Sequence, residues 1–166
     1  MHPMNSLTEI AAPREFRLRQ GERLRLRTLV EQLFINGKSL YEWPLRAVYR
    51  PLDSDSLDAM FKGHVPPGTG RLQMLITVPK KKRRHAVDRV LMRRRIREAW
   101  RLNRAPLRAK TDGITSVRTF SVAFIYLADK NVDYAKVERS MQTLISLLAR
   151  KLEKEASGSD RRCEDC

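Results

Sequence analysis

Cysteine is almost missing from this 166-residue chain: there are two, both in the terminal "CEDC". That excludes a disulfide framework and gives the expectation of a reducing, cytoplasmic setting. A lone CxxC holds a metal only with two further ligands, and the three histidines are dispersed, so no metal site is expected. Long apolar stretches are missing too. No segment reaches the length of about eighteen apolar residues that a membrane-spanning helix needs. The opening "MHPMNSLTEIAAPREF" also lacks the apolar stretch of a secretory signal. Carboxylates are scarce and badly placed for hydrolysis. A two-metal nuclease holds several of them together on rigid elements. Here Asp53, Asp55 and Asp58 crowd one turn-rich stretch, and no expected strand carries an acid. His2 stands in a tail, His64 in a loop and His85 among lysines and arginines, so no acid–base pair is evident. No catalytic residue is expected on the protein itself.

Positive charge is what the chain has in excess. Lysine and arginine number 34 against 19 acids, a formal net charge of +15. A polyanion is the expected partner, nucleic acid before an anionic membrane surface. Apolar residues make up 42%, enough for one packed core.

The apolar pattern predicts helix, strands, helix, strand, helix. In "TLVEQLFING" (28–37), Leu26, Leu29, Val30, Leu33 and Phe34 share one helical face, with Thr28 and Glu31 as a capping box and Gly37 as a left-handed stop. "PLRAVYR" (44–50) alternates Leu45, Ala47 and Tyr49 against Arg46, Val48 and Arg50, as a half-buried strand does. "PLDSDSLDAMFKGHVPPGTG" (51–70) reads as a loop or hairpin excursion. "RLQMLITVP" (71–79) is the strongest strand, "TDGITSVRT" a turn region, and "FSVAFIY" (120–126) a third strand. Val137, Met141, Leu144, Leu148 and Leu152 mark one face of a long last helix. The expectation is a single small α+β domain over 16–152, a mixed sheet packed by helices. A flexible tail over 1–15 and a disordered one over 153–166 flank it.

The segment "RVLMRRRIREAWRLNR" (89–104) carries seven arginines and a single acid, Glu98. With 100° per residue, Met92, Ile96, Ala99, Trp100 and Asn103 fall in one stripe between about 280° and 20°. Arg93, Arg97, Arg104, Arg101 and Arg94 fall beside it, between about 40° and 140°. Like charges on successive turns repel by a few tenths of a kcal/mol per pair. Phosphates relieve that repulsion, and arginine's planar fork suits their oxygens. Arg89 starts the segment, and Lys80, Lys81, Lys82, Arg83 and Arg84 extend the patch ahead of it. A DNA-binding regulator is the weaker alternative. The apolar stripe is needed by the sheet, and no Asn or Gln sits near the basic flank to read adenine.

"AVDRVLMRRRIREAW" (86–100) resembles the signature of the bacterial ribonuclease P protein component. Arg89, Arg93, Arg94, Arg97, Glu98, Ala99 and Trp100 match that signature in place, while Val90 stands where the family usually has asparagine and Leu91 where it often has a base. "ERLRLRTLVEQLFINGKSL", "PLRAVYR" and "LITVPKKKRRHAV" resemble the family's opening helix, next strand and basic turn, so the likeness runs over about residues 22–152. It implies an α+β domain with a left-handed β-α-β crossover, as in a small-subunit ribosomal protein domain. It implies that an RNA subunit, with its Mg2+, performs the hydrolysis, and that the protein binds no cofactor of its own. The expected partners are then that RNA, through the signature helix, and the 5′ leader of precursor tRNA, in a cleft between first helix and sheet. Neither DNA nor a membrane is expected. Val30, Phe34 and Tyr49 become cleft candidates, Phe34 fitting a core position equally well. The alternative is a ribosomal or other structural RNA-binding protein of the same fold.

Overall fold

The computed structural model describes residues 17–160. The expected N-terminal tail and the "CEDC" end lie outside these residues. The first helix, α1 (Arg27–Asn36), forms because Leu29 and Leu33 recur on one face and bury against the sheet. Its ends differ from expectation. Leu26 occupies the N-cap and no side chain caps the helix, while Glu31 pairs with Arg27 at 2.7 Å. Gly37 has φ −73°, not a left-handed value. Its need for glycine is space: a Cβ there would strike the Leu33 carbonyl oxygen and Val48 Cγ1.

Strands β1 (Lys38–Glu42) and β2 (Leu45–Leu52) then form an antiparallel hairpin about Trp43 and Pro44, joined by a cis peptide. The sequence pattern does not announce β1, whose polar residues lie along a sheet edge. The expected excursion contains a short helix, α2 (Ser54–Met60). Asp53 starts it by accepting a hydrogen bond from the Ser56 N–H at 2.8 Å, and Leu57 anchors it. Aspartates that look like turn formers here serve as helix-start chemistry.

Strand β3 (Leu72–Thr77) leads into α3 (Ala86–Asn103), the arginine helix. A further helix, α4 (Ala105–Gly113), occupies part of the expected turn region, with Pro106 in its first turn. Strand β4 (Thr119–Tyr126) and helix α5 (Tyr134–Asp160) complete the chain. Residues 153–160, expected as disordered tail, continue α5.

The sheet order is β1-β2-β4-β3, with β4 antiparallel to β2 and parallel to β3. Alternation divides the sheet between two cores. Leu45, Ala47, Tyr49, Met74, Phe120, Val122, Phe124 and Tyr126 face α3, α4 and α5. The arginine helix docks there through Met92, Ile96, Ala99 and Trp100, with Trp100 against Phe124 at 5.3 Å between ring centres. Val48, Leu52 and Ala123 face the other way, onto Leu29 and Leu33 of α1 and Leu57 of α2. The molecule is thus an α+β domain whose mixed sheet carries helices on both faces.

Candidate nucleic-acid interface

The apolar stripe of α3 fixes how its arginines stand. Arg94 and Arg97 are exposed and Arg93 is half-buried; among the described residues none of the three has a carboxylate or carbonyl partner. They form a cationic ridge over the middle of the helix. Val87, 79% exposed, and Val90, 40% exposed, lie along it. The ridge is shorter than the helical wheel implies. Arg101 is held by Glu98 at 2.5 Å, and that hydrogen bond lowers the Glu98 pKa and raises that of Arg101.

Arg104 leaves the ridge altogether. It is 2% exposed, donates to the carbonyls of Arg101 at 2.8 Å and Arg17 at 3.0 Å, and stands 3.4 Å from the Glu22 carboxylate. Burial lowers its pKa, and Glu22 opposes that shift. The reason is geometric: α3 ends at Asn103, and the wheel does not continue through the start of α4. Arg104 is a structural residue joining that junction to the N-terminal segment, and the placement in an RNA-facing row is corrected accordingly.

The basic turn ahead of α3 is organised from within. Arg89 donates to the carbonyls of Arg83 and Arg84 at 3.0 and 2.6 Å. Arg83 pairs with Asp88 at 2.9 Å and donates to the Asp129 carbonyl at 2.6 Å, while Lys82 stands 3.4 Å from the Asp129 carboxylate. A hydrogen bond from Asn131 and the nearby Arg83 charge hold the Asp88 carboxyl below its usual range. Lys80, Lys81 and Arg84 remain exposed. So Arg83 and Arg89 shape the turn, and their neighbours present the free charge.

The α1 face of the sheet holds a second surface. Strand register sets Tyr41, Arg46, Ile125 and Thr77 in one row across all four strands. Helix α1 covers the next row, Val48 and Ala123, and leaves this one half-exposed, with Ile125 packed against the α1-side core and Tyr41 standing out. Tyr41 is 63% exposed, with the Arg46 guanidinium 5.4 Å from its ring centre. Arg46 is steadied by donating to Ser39 Oγ at 2.9 Å. Phe34 is 46% exposed and Val30 half-buried against the α1 core. Tyr49 is not part of this face: it is 2% exposed beneath the helical layer on the other side, 5.9 Å from the Phe120 ring. Alternation in β2 puts it there with Leu45 and Ala47, and the cleft role expected of it is corrected to a core role.

A family model described as Ribonuclease P matches residues 18–151. The chain belongs to the ribonuclease P protein family. Two strains of Porphyromonas gingivalis have a "Ribonuclease P protein component" that is 34% identical over 141 residues, spanning 84% of this chain and 92% of the relative. Among solved structures, the RNase P protein of Staphylococcus aureus is similar at a TM-score of 0.51 and 14% identity, covering 76% of this chain and 94% of that one, which is a likeness of fold. Against the ribonuclease P signature, Val90 presents an exposed methyl surface beside the ridge where an amide is usual. Sequence reasoning missed Tyr41 and Arg46. Arg46 lay in a recognised strand, but only the unforeseen β1 creates the row in which both stand.

Among the described residues no group of three or more His, Cys, Asp or Glu is placed to hold a metal ion, and no helix is long and apolar enough to cross a membrane.

Proposed function

We propose that this chain is the protein subunit of a ribonuclease P, the endoribonuclease that matures the 5′ end of tRNA, with hydrolysis carried out by the RNA. The observation that carries this reading is the trio Arg93, Arg94 and Arg97, one-sided and without acidic partners among the described residues. Three like charges within two helical turns are tolerable when phosphates stand opposite them. The ridge and the exposed Lys80, Lys81 and Arg84 grip the catalytic RNA. The Tyr41–Arg46 row, bordered by Phe34 and α1, takes the 5′ leader of precursor tRNA, its aromatic ring stacking on an unpaired base. Mg2+ belongs to the RNA; the protein's cations screen phosphate repulsion and so lower the magnesium the RNA requires.

Reconstitution with a bacterial ribonuclease P RNA and a precursor tRNA tests this reading. The expected result is faster 5′ cleavage at low millimolar magnesium with the protein than without it. Binding to the RNA with no gain in cleavage would leave a structural RNA-binding protein of the same fold and overturn the proposal.

A further inference from the structure

Trp43 is an anomaly on the side of the sheet away from the Tyr41 row. It stands at the tip of the β1–β2 hairpin, 56% exposed, with no core to fill. Its backbone is nevertheless fixed. Glu42 pairs with Leu45 across the hairpin, and Ser140 Oγ of α5 donates to the Trp43 carbonyl at 2.8 Å. Lys136 Nζ stands 5.9 Å from the ring centre. A cavity of about 560 Å3 opens beside the ring, walled by the 127–133 loop and the start of α5. That size is ordinary for a pocket receiving a flat organic group.

The cavity is linked to the basic turn rather than to the ridge. Its wall is the loop to which the basic turn is tied, by Arg83 on the Asp129 carbonyl and Lys82 on the Asp129 carboxylate. Arg95 holds the same loop through the Val132 carbonyl at 2.6 Å, and Asn131 donates to Asp88. Lys130 and Lys136 supply positive charge at the cavity, and Asp129 and Asp133 supply acceptors. An aromatic face, acceptors for base N–H groups and lysines for phosphate are together the chemistry that receives an unpaired nucleotide.

We propose that Trp43 is a stacking platform for an unpaired base of the catalytic RNA, extending the interface from the basic turn to the hairpin tip. This rests on the ribonuclease P reading above. The catalytic RNA, rather than the leader, is the occupant because the cavity lies on the α5 side, joined to the turn that precedes the ridge.

The chain has two tryptophans, and Trp100 is 1% exposed in the core. Intrinsic emission changes on RNA addition therefore report Trp43. Full-length protein is titrated with a bacterial ribonuclease P RNA transcript, and separately with precursor tRNA alone. Quenching by the catalytic RNA is expected, absent in Trp43→Phe, where only Trp100 emits. Trp43→Ala should weaken binding of the catalytic RNA by about 5- to 150-fold, the range of one lost base stack. The salt dependence should not change, because a stack releases no counterions. Binding with unaltered Trp43 emission, or quenching by precursor tRNA alone, overturns the platform. No binding by the wild-type protein overturns the parent reading as well.

Discussion

Two arginines seven residues apart show how one side chain serves opposite ends. Arg97 is exposed and without a partner among the described residues, whereas Arg104 is enclosed and bonded to two carbonyls beside Glu22. Replacing Arg97 by alanine should leave the melting temperature unchanged and reduce the logarithmic salt slope of RNA binding by about 0.7–0.9. Replacing Arg104 should do the reverse, costing about 1–3 kcal/mol of stability by stripping carbonyls of charged donors, with the slope intact. Denaturant unfolding and filter binding at several salt concentrations separate the two. Tyr41→Ala should weaken binding of a leader-bearing precursor by about 1–3 kcal/mol while leaving leaderless tRNA unaffected, since only a stacked base is lost. Asp88 belongs at this scale too. Its folded pKa lies below the unfolded value near 3.9, so its stabilising effect is present above that pH and disappears as pH falls through the folded value. The melting temperature should therefore drop on acidification below about pH 4, and Asp88→Asn should flatten that decline.

Between elements, the 127–133 loop is held from α3 by Arg95 and from the basic turn by Arg83. Arg95→Ala should speed amide hydrogen exchange across 127–133 without altering the salt slope, because Arg95 points away from the ridge. The sequence pattern discloses the helices and strands that have one regular apolar face: α1, β2, β3, α3, β4 and α5. What it conceals has physical causes. Strand β1 is an edge with polar side chains, so period-two alternation is blurred. The Asp53 cap and Pro106 are chemistries shared by turns and helix starts, which hid α2 and α4. The α3 wheel is sound as far as Asn103 and fails at Arg104, where the axis changes. Alternation in β2 groups Tyr49 with Leu45 and Ala47 but does not say which layer covers that face. The candidate site was accordingly legible on the arginine helix and illegible on the sheet, where it depends on long-range strand register.

Over the whole molecule the +15 charge is not spread as one uniform field. Some of it is spent inward, on Glu22, Asp88, Glu98 and backbone carbonyls, which leaves α3, among the described residues, a compact ridge of three beside the exposed Lys80, Lys81 and Arg84. Three phosphate contacts account for a slope of about 2–3, so a steeper measured value would have to come from the turn at 80–84 and the surfaces beyond it. The Tyr41–Arg46 row on the α1 face has a consequence for the shape of what it admits. Four strands at about 4.8 Å spacing make a floor about 14 Å wide, with Arg46 as the guanidinium in that row. Tyr41 can grip a base only when that base's flat side is unoccupied. A leader annealed to a complementary oligonucleotide hides those sides and brings a second backbone for which the row has no counter-charge. Such a substrate should lose the protein's advantage in a cleavage assay, making the sheet a gauge that passes one strand and refuses two.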